Sequence, residues 1–171
     1  MEAALERYDS RLVLRVGSYH SIELNGEIQQ ILDAHPEFAL EQPETVMDLY
    51  PESGTQRILD IKLTYFNTPE ELSACRETMG ERIEQLVSLY GSSNSDLTNA
   101  RRIYQNMGRG VMLDQPESSG ALSDSAYGVL AEDHSGSYGF AQAYCLAMRA
   151  CGIPCELISG QKSGAAHYWC M

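Results

Sequence analysis

The sequence predicts an α+β fold in which helices pack against one face of a small antiparallel sheet. Three observations lead to this prediction. Residues 68–107 carry two consecutive amphipathic helix patterns, and residues 56–66 alternate as a half-buried strand does. A third helix pattern, close to the end of the sequence, is followed by two short strands. This mixed order of helices and strands is typical of the α+β class.

The first elements are a strand, a helix and a second strand. The run SRLVLRV alternates between apolar and polar faces and predicts a short strand, and residues 24–35 predict a helix that ends before Pro36. Residues 35–55 hold three prolines and few periodic positions, so we expect them to be mostly irregular. QRILDIKLTYF alternates most clearly and predicts a strand. We expect residues 1–66 to form an N-terminal region and residues 67–171 to form the core domain.

Two helices open the predicted core domain. Thr68 stands at the capping position, Pro69 in the first turn and Glu71 at the capping-box position, and the apolar stripe that follows ends at Gly91. The polar run SSNSD provides a second cap, and the helix after it ends at Gly108. The apolar stripe of this second helix consists of Leu97, Ala100, Ile103, Tyr104 and Met107.

The last third of the sequence begins with a long loop. Residues 108–123 are rich in Gly, Ser and Pro, and loops of this length are usually functional or mobile. Ser123 or Asp124 is the expected cap of a short helix. A longer helix is expected from Ser137 to Gly152, and CELIS and AHYWCM are expected to be strands joined by a polar turn.

Composition excludes several functional classes. The net charge of −12 repels phosphate backbones, so nucleic-acid binding is not expected. No apolar run reaches about 18 residues, and the first residues, MEAALERYDS, do not resemble a signal peptide, so no membrane span is expected. The sequence holds no P-loop, dinucleotide glycine pattern or H-E-x-x-H motif, and no cofactor or metal is predicted.

The five cysteines show no zinc-type spacing and are expected to be buried free thiols.

Ser137 and His167 have two interpretations each. A serine at a helix start beside a histidine resembles a nucleophile and its base, but serine is also a common helix cap, and local sequence favours the cap. His167, on a strand among aromatic residues, is more often packed than catalytic. His134, which follows Glu132 and Asp133, fits a solvated turn.

The wider pattern resembles the transglutaminase-like domains of the papain-like cysteine protease superfamily. AYGVLAE, DHSGSYGFAQA, GIPC and HYW follow one another as the corresponding runs do in that family, and the resemblance is strongest over residues 96–171. It implies a core whose nucleophile lies at a helix N-terminus. The family's cysteine falls on Ser137 and its histidine on His167. Trp169, Tyr138 and His134 are then the candidates for substrate binding.

The resemblance implies attack on a protein or peptide amide through an acyl-enzyme. Because Ser137 replaces the cysteine, and because the family's aspartate lies on a strand beyond residue 171, we expect this sequence to be catalytically inactive. The serine fits a non-catalytic relative, an introduced cysteine-to-serine substitution or a serine-using variant. A peptide-binding or structural module of a bacterial surface protein is the alternative, and the family's usual location favours an extracellular or cell-envelope protein. The sequence does not predict the oligomeric state.

Overall fold

Helices and short strands alternate along the chain. The computed structural model describes residues 1–113 and 122–171. Within these residues the elements are α1 Glu2–Glu6, β1 Arg11–Val16, α2 Leu24–Ala34, β2 Glu44–Tyr50, β3 Arg57–Thr64, α3 Pro69–Tyr90, α4 Asp96–Met107, β4 Met112–Leu113, α5 Ala126–Ala131, β5 His134–Ser135, α6 Ser137–Ala150, β6 Leu157–Lys162 and β7 Ala165–Cys170. The predicted α+β class is confirmed.

An antiparallel sheet of order β1-β3-β2 occupies the N-terminal region. The central strand β3 buries Leu59, Ile61 and Leu63, as its alternation predicted. Residues 35–55 are mostly irregular, as expected, but the sequence did not predict β2 within them. Every residue of β2 is exposed or half-buried, so the strand has no buried face that an alternating sequence pattern could reveal. Pairing with β3 specifies the strand instead.

The two long helices begin and end where their capping residues predicted. Thr68 Oγ1 accepts a hydrogen bond from Glu71 N at 3.2 Å, and Glu71 Oε2 accepts one from Thr68 N at 2.8 Å. In α4 the predicted apolar stripe is only partly correct. Leu97 and Tyr104 are 80% and 59% exposed, whereas Asn99 is buried and bonds the backbone of Ser93. The buried face of α4 thus also contains a polar residue that fixes the segment before the helix.

The predicted long loop includes a short strand. Strand β4 pairs with β5 in parallel, with Met112 opposite His134. Residues 114–121 of the same predicted loop lie outside the described residues. The N-cap of α5 is Ser125 rather than Ser123 or Asp124, so the predicted cap was displaced by one or two residues.

Helix α6 lies at the centre of the molecule. Ala143 belongs to the same buried cluster as Ile28, Leu59 and Leu72, so the core draws on both predicted regions. The buried Gln142 ties them further: its Nε2 donates to Ala39 O at 3.3 Å, and its Oε1 accepts from Ala126 N at 3.1 Å. The division between residues 66 and 67 stays a prediction, but the two parts share one hydrophobic core.

Candidate functional site

The first turn of α6 carries Ser137. Gly136 is the N-cap, and the first helical hydrogen bond runs from Phe140 N to Gly136 O at 3.2 Å. The serine is thus the first helical residue, not the cap, and its hydroxyl accepts a long hydrogen bond of 3.4 Å from Tyr168 N. The backbone amides that precede this first bond have no carbonyl partner within the helix, so they present positive partial charge at Ser137.

Gly139 allows the first turn of α6 to pack closely against its neighbours. A Cβ at this position would collide with the carbonyl of Ser125, at the start of α5, and with Ser135 Oγ, in β5. These contacts leave no room for a side chain, so a glycine is required here. The close packing fixes the position of Ser137 relative to the elements that precede it.

The hairpin β6–β7 supplies the other side of the site. Tyr168 and Cys170 face α6: the Tyr168 ring lies 4.7 Å from the ring of Tyr138, and Cys170 Sγ donates to Ala141 O at 3.0 Å. Strand alternation therefore places His167 and Trp169 on the opposite face of β7.

The rings of His167 and Trp169 lie close to parallel, with centroids 6.1 Å apart and an interplanar angle of 30°. Gly160, opposite His167 in β6, makes room for the indole: a Cβ there would lie 2.6 Å from Trp169 Cη2. The bare backbone of Gly160 is therefore part of the surface on which Trp169 rests.

A cavity of about 450 Å³, here called the cleft, lies between α4, α6 and β7. Its lining consists of Tyr104, Ser137, Phe140, Ala141, Tyr144, His167, Tyr168, Trp169 and Cys170. Ser137 and His167 therefore both border this cavity, although alternation along β7 directs the His167 side chain to the face opposite Tyr168 and Cys170. The hydrogen bond that Ser137 makes is to the backbone of the residue next to His167, not to the imidazole.

Tyr138 and His134 lie outside the cleft. Tyr138 borders a second cavity of about 280 Å³, donates to Asp33 Oδ1 at 2.9 Å and accepts from Gln29 Nε2 at 2.9 Å. Burial, and then the nearby Asp33 carboxylate, raise the pKa of Tyr138 well above its ordinary value. His134 Nδ1 lies 3.0 Å from the carbonyl oxygen of Glu132. Tyr138 thus anchors α6 to α2, and the roles of both residues in substrate binding stay predictions.

A carboxylate lies against the same helix end. A Cβ at Gly136 would be 2.6 Å from Asp124 Oδ1, so this acid sits beside the N-cap of α6. A negative charge is stabilised there by the helix dipole. It also weakens the positive field that acts on Ser137.

Sequence patterns missed the aromatic walls of the cleft. Tyr104 packs edge-on against Phe140 and Tyr144, each at a centroid distance of 6.0 Å. Their helical spacing was interpreted as core packing. The signal that distinguishes them is the 59% exposure of Tyr104, which depends on the tertiary structure.

The sequence also did not reveal a cluster of three cysteines. Cys145, Cys155 and Cys170 have sulfur atoms that all lie within 4.8 Å of one another. Their separations of ten and fifteen residues match no ligand motif. Their proximity depends on how β7 returns to α6.

Comparison with known proteins finds a family match over the part of the chain that carries these residues. The sequence model of the family described as the transglutaminase-like superfamily matches residues 84–171, which is just over half of the chain and includes α4, α6 and the hairpin. The chain belongs to the transglutaminase-like superfamily. Its fold is therefore an α+β transglutaminase-like core, and the matched residues include both Ser137 and His167.

More distant comparisons add less. A solved structure described as "Crystal structure of a TGase" aligns with a TM-score of 0.48 and 16% sequence identity, over 92% of this chain and 47% of that chain. The transglutaminase-like chain thus spans about half the length of that structure. No curated protein matches the present chain. None of the helices in residues 1–113 and 122–171 has the length and apolar character of a membrane span.

Proposed function

We propose that the cleft holds a protein or peptide amide at the position where acyl transfer takes place in transglutaminase-like domains, and that Ser137 leaves this chain without that activity. One observation carries the proposal. Ser137, in the first turn of α6, and His167, on β7, line the same cavity. A volume of about 450 Å³ lies within the usual range for ligand sites.

The chemistry of the helix start explains why serine is a poor nucleophile here. A thiol at a helix N-terminus loses its proton readily, because the dipole and a neighbouring histidine stabilise the thiolate. The pKa of a hydroxyl is several units higher, so the same field leaves it protonated. Serine needs a general base within hydrogen-bond reach. In the described part of the chain the Ser137 hydroxyl accepts a hydrogen bond from Tyr168 N and makes none with the imidazole of His167, which supports an inactive site.

A cysteine substitution tests the proposal. We expect wild-type protein to incorporate no primary amine into a glutamine-containing peptide. In Ser137→Cys, iodoacetamide at pH 7 should alkylate residue 137 on the order of 10²-fold faster than the buried Cys145, measured by mass spectrometry of the labelled peptides. The native cysteines in the same sample act as internal references.

Two further variants separate the contributions of the helix and the histidine. Ser95→Cys places a thiol at the exposed start of α4, which has the helix dipole but is outside the cleft. Ser137→Cys combined with His167→Asn keeps the cleft but removes the imidazole. We expect both to be labelled more slowly than Ser137→Cys. Equal labelling of residues 137 and 95 would refute the site, and amine incorporation by wild-type protein would refute the proposed inactivity.

A further inference from the structure

Three thiols converge below the cleft. Cys145 Sγ lies 3.3 Å from Cys155 Sγ and 3.1 Å from Cys170 Sγ. Cys145 and Cys155 are 0% and 7% exposed, and Cys170 is half-buried. The residues come from the middle of α6, the turn before β6 and the end of β7. Three separate elements therefore direct one sulfur each to a common point.

Backbone contacts hold these elements in place. Arg149 Nε donates to the carbonyl oxygen of Cys155 at 3.1 Å, which fixes the turn to α6. Glu156 N and Met171 O are 2.8 Å apart, and Met171 N and Glu156 O are 3.0 Å apart. This reciprocal pair joins the residue after Cys155 to the residue after Cys170. The three sulfurs are thus positioned by the fold and need no large movement to act together.

We propose that Cys145, Cys155 and Cys170 form a binding site for a thiophilic metal ion, Zn²⁺ or Cu⁺. Thiolate ligands select these ions over the harder cations. With metal–sulfur bonds of about 2.3 Å, two thiolates on a tetrahedral ion lie roughly 3.8 Å apart, so the two neighbours of Cys145 need to move away from it by about 0.5 to 0.7 Å. The proposal is independent of the proposed function.

The arrangement fits a metal ion better than a disulfide. A disulfide joins two sulfurs and leaves the third as a buried thiol. Here Cys145 lies almost equally far from both neighbours, so neither pair is preferred. A metal ion uses all three. Three thiolates complete a trigonal Cu⁺ site, whereas Zn²⁺ needs a fourth ligand, which water can supply from the cleft that Cys170 lines.

Binding replaces three protons by one cation. The hydrogen bond with Cys170 and burial raise the pKa of the Cys145 thiol, and burial and the contact with Cys145 raise the pKa of Cys155 to about 12, so both are protonated at neutral pH. Three S–H bonds break, three metal–sulfur bonds form, and three protons pass to the solvent. The site then carries a charge of −1 with Zn²⁺ and −2 with Cu⁺. The guanidinium of Arg149 offsets part of this charge.

Metal titration of the whole, fully reduced chain tests the site. We expect one equivalent of Co²⁺ to produce sulfur-to-metal charge-transfer absorption that Zn²⁺ abolishes. Competition with a Cu⁺-selective chelator decides between the two metals. Cys145→Ser should weaken binding at least 10²-fold. The matched controls, Cys75→Ser and Cys151→Ser, remove half-buried thiols outside the cluster and should bind as wild type does.

A second measurement on unaltered protein avoids the risk that a variant misfolds. Zinc should protect Cys145, Cys155 and Cys170 from alkylation and leave the reactivity of Cys75 and Cys151 unchanged. Three results would each overturn the proposal: no binding to reduced wild-type protein below about 10 μM metal, equal binding by Cys145→Ser, or a disulfide at Cys145 that forms equally fast with zinc present.

Discussion

The start and the middle of α6 present two opposite environments for a nucleophile. At the start, Ser137 is half-buried, borders the cleft and lies among backbone amides that have no carbonyl partner within the helix. In the middle, Cys145 is completely buried, and its thiol pKa is raised by the hydrogen bond with Cys170 and by burial. The position that favours a nucleophile therefore holds a hydroxyl, which keeps its proton. The thiol of Cys145 lies where burial disfavours the thiolate.

This difference shows that position along a helix decides what a side chain can do. The field of the helix dipole falls off within the first turn. Eight residues further on, at about 12 Å by helical rise, burial dominates instead. The start of α6 is thus suited to chemistry, and its middle is suited to packing and metal coordination. Substitutions in the middle should therefore affect stability, whereas replacing the hydroxyl of Ser137 at the start should affect it little.

The largest effect on stability is expected from Gln142→Ala. The side chain of Gln142 is fully buried, and its loss leaves Ala126 N and Ala39 O without their partner. Each unsatisfied buried group costs about 1–3 kcal/mol, so with two such groups we expect the free energy of unfolding to fall by roughly 2–6 kcal/mol. Chemical denaturation measures it. Gln85→Ala, on the exposed face of α3, is the control and should change the value by less than about 0.5 kcal/mol.

The anchor of the first turn is expected to give a pH-dependent effect on stability that is confined to alkaline pH. The pKa of Tyr138 is raised, first by burial and then by Asp33, so the folded state favours the neutral phenol. Its contribution to stability is complete below the unfolded pKa of about 10 and is lost as pH rises above that value. Between pH 9 and 11.5 we expect the free energy of unfolding of Tyr138→Phe to fall less steeply than that of wild-type protein, by up to about 1.4 kcal/mol per pH unit. Denaturation at each pH measures this slope.

Replacing the acid beside Tyr138 provides the control for this pH dependence. Asp33→Asn removes the smaller cause of the raised pKa and keeps the burial. Its stability should therefore decline with pH less steeply than that of wild-type protein but more steeply than that of Tyr138→Phe. An alkaline slope that Tyr138→Phe leaves unchanged would show that the pKa of Tyr138 is not raised in the folded state.

Local signals predicted most elements, whereas contacts between distant residues did not follow from them. Thr68, Glu71 and Gly91 mark the ends of α3 because capping uses neighbours in the sequence. Strand β2 was missed because pairing with β3, not its own pattern, specifies it.

The site shows the same division. Local sequence assigned Ser137 as a cap, and only the resemblance to a family connected it with His167. The thiol cluster was missed altogether, because its geometry depends on the hairpin β6–β7 returning to α6.

The smallest effect on stability is expected from Ser137→Ala. The hydroxyl does not cap α6, and its hydrogen bond of 3.4 Å is too long to contribute much. We expect the free energy of unfolding to change by less than about 0.5 kcal/mol.

Thr68→Ala is the matched control, since Thr68 is a hydroxyl at a helix start that does act as a cap, and its loss should cost about 1 kcal/mol. If Ser137→Ala instead destabilised the protein as much as Thr68→Ala, the serine would be a structural residue. The contrast between the start and the middle of α6 would then disappear, because stability rather than chemistry would account for both positions.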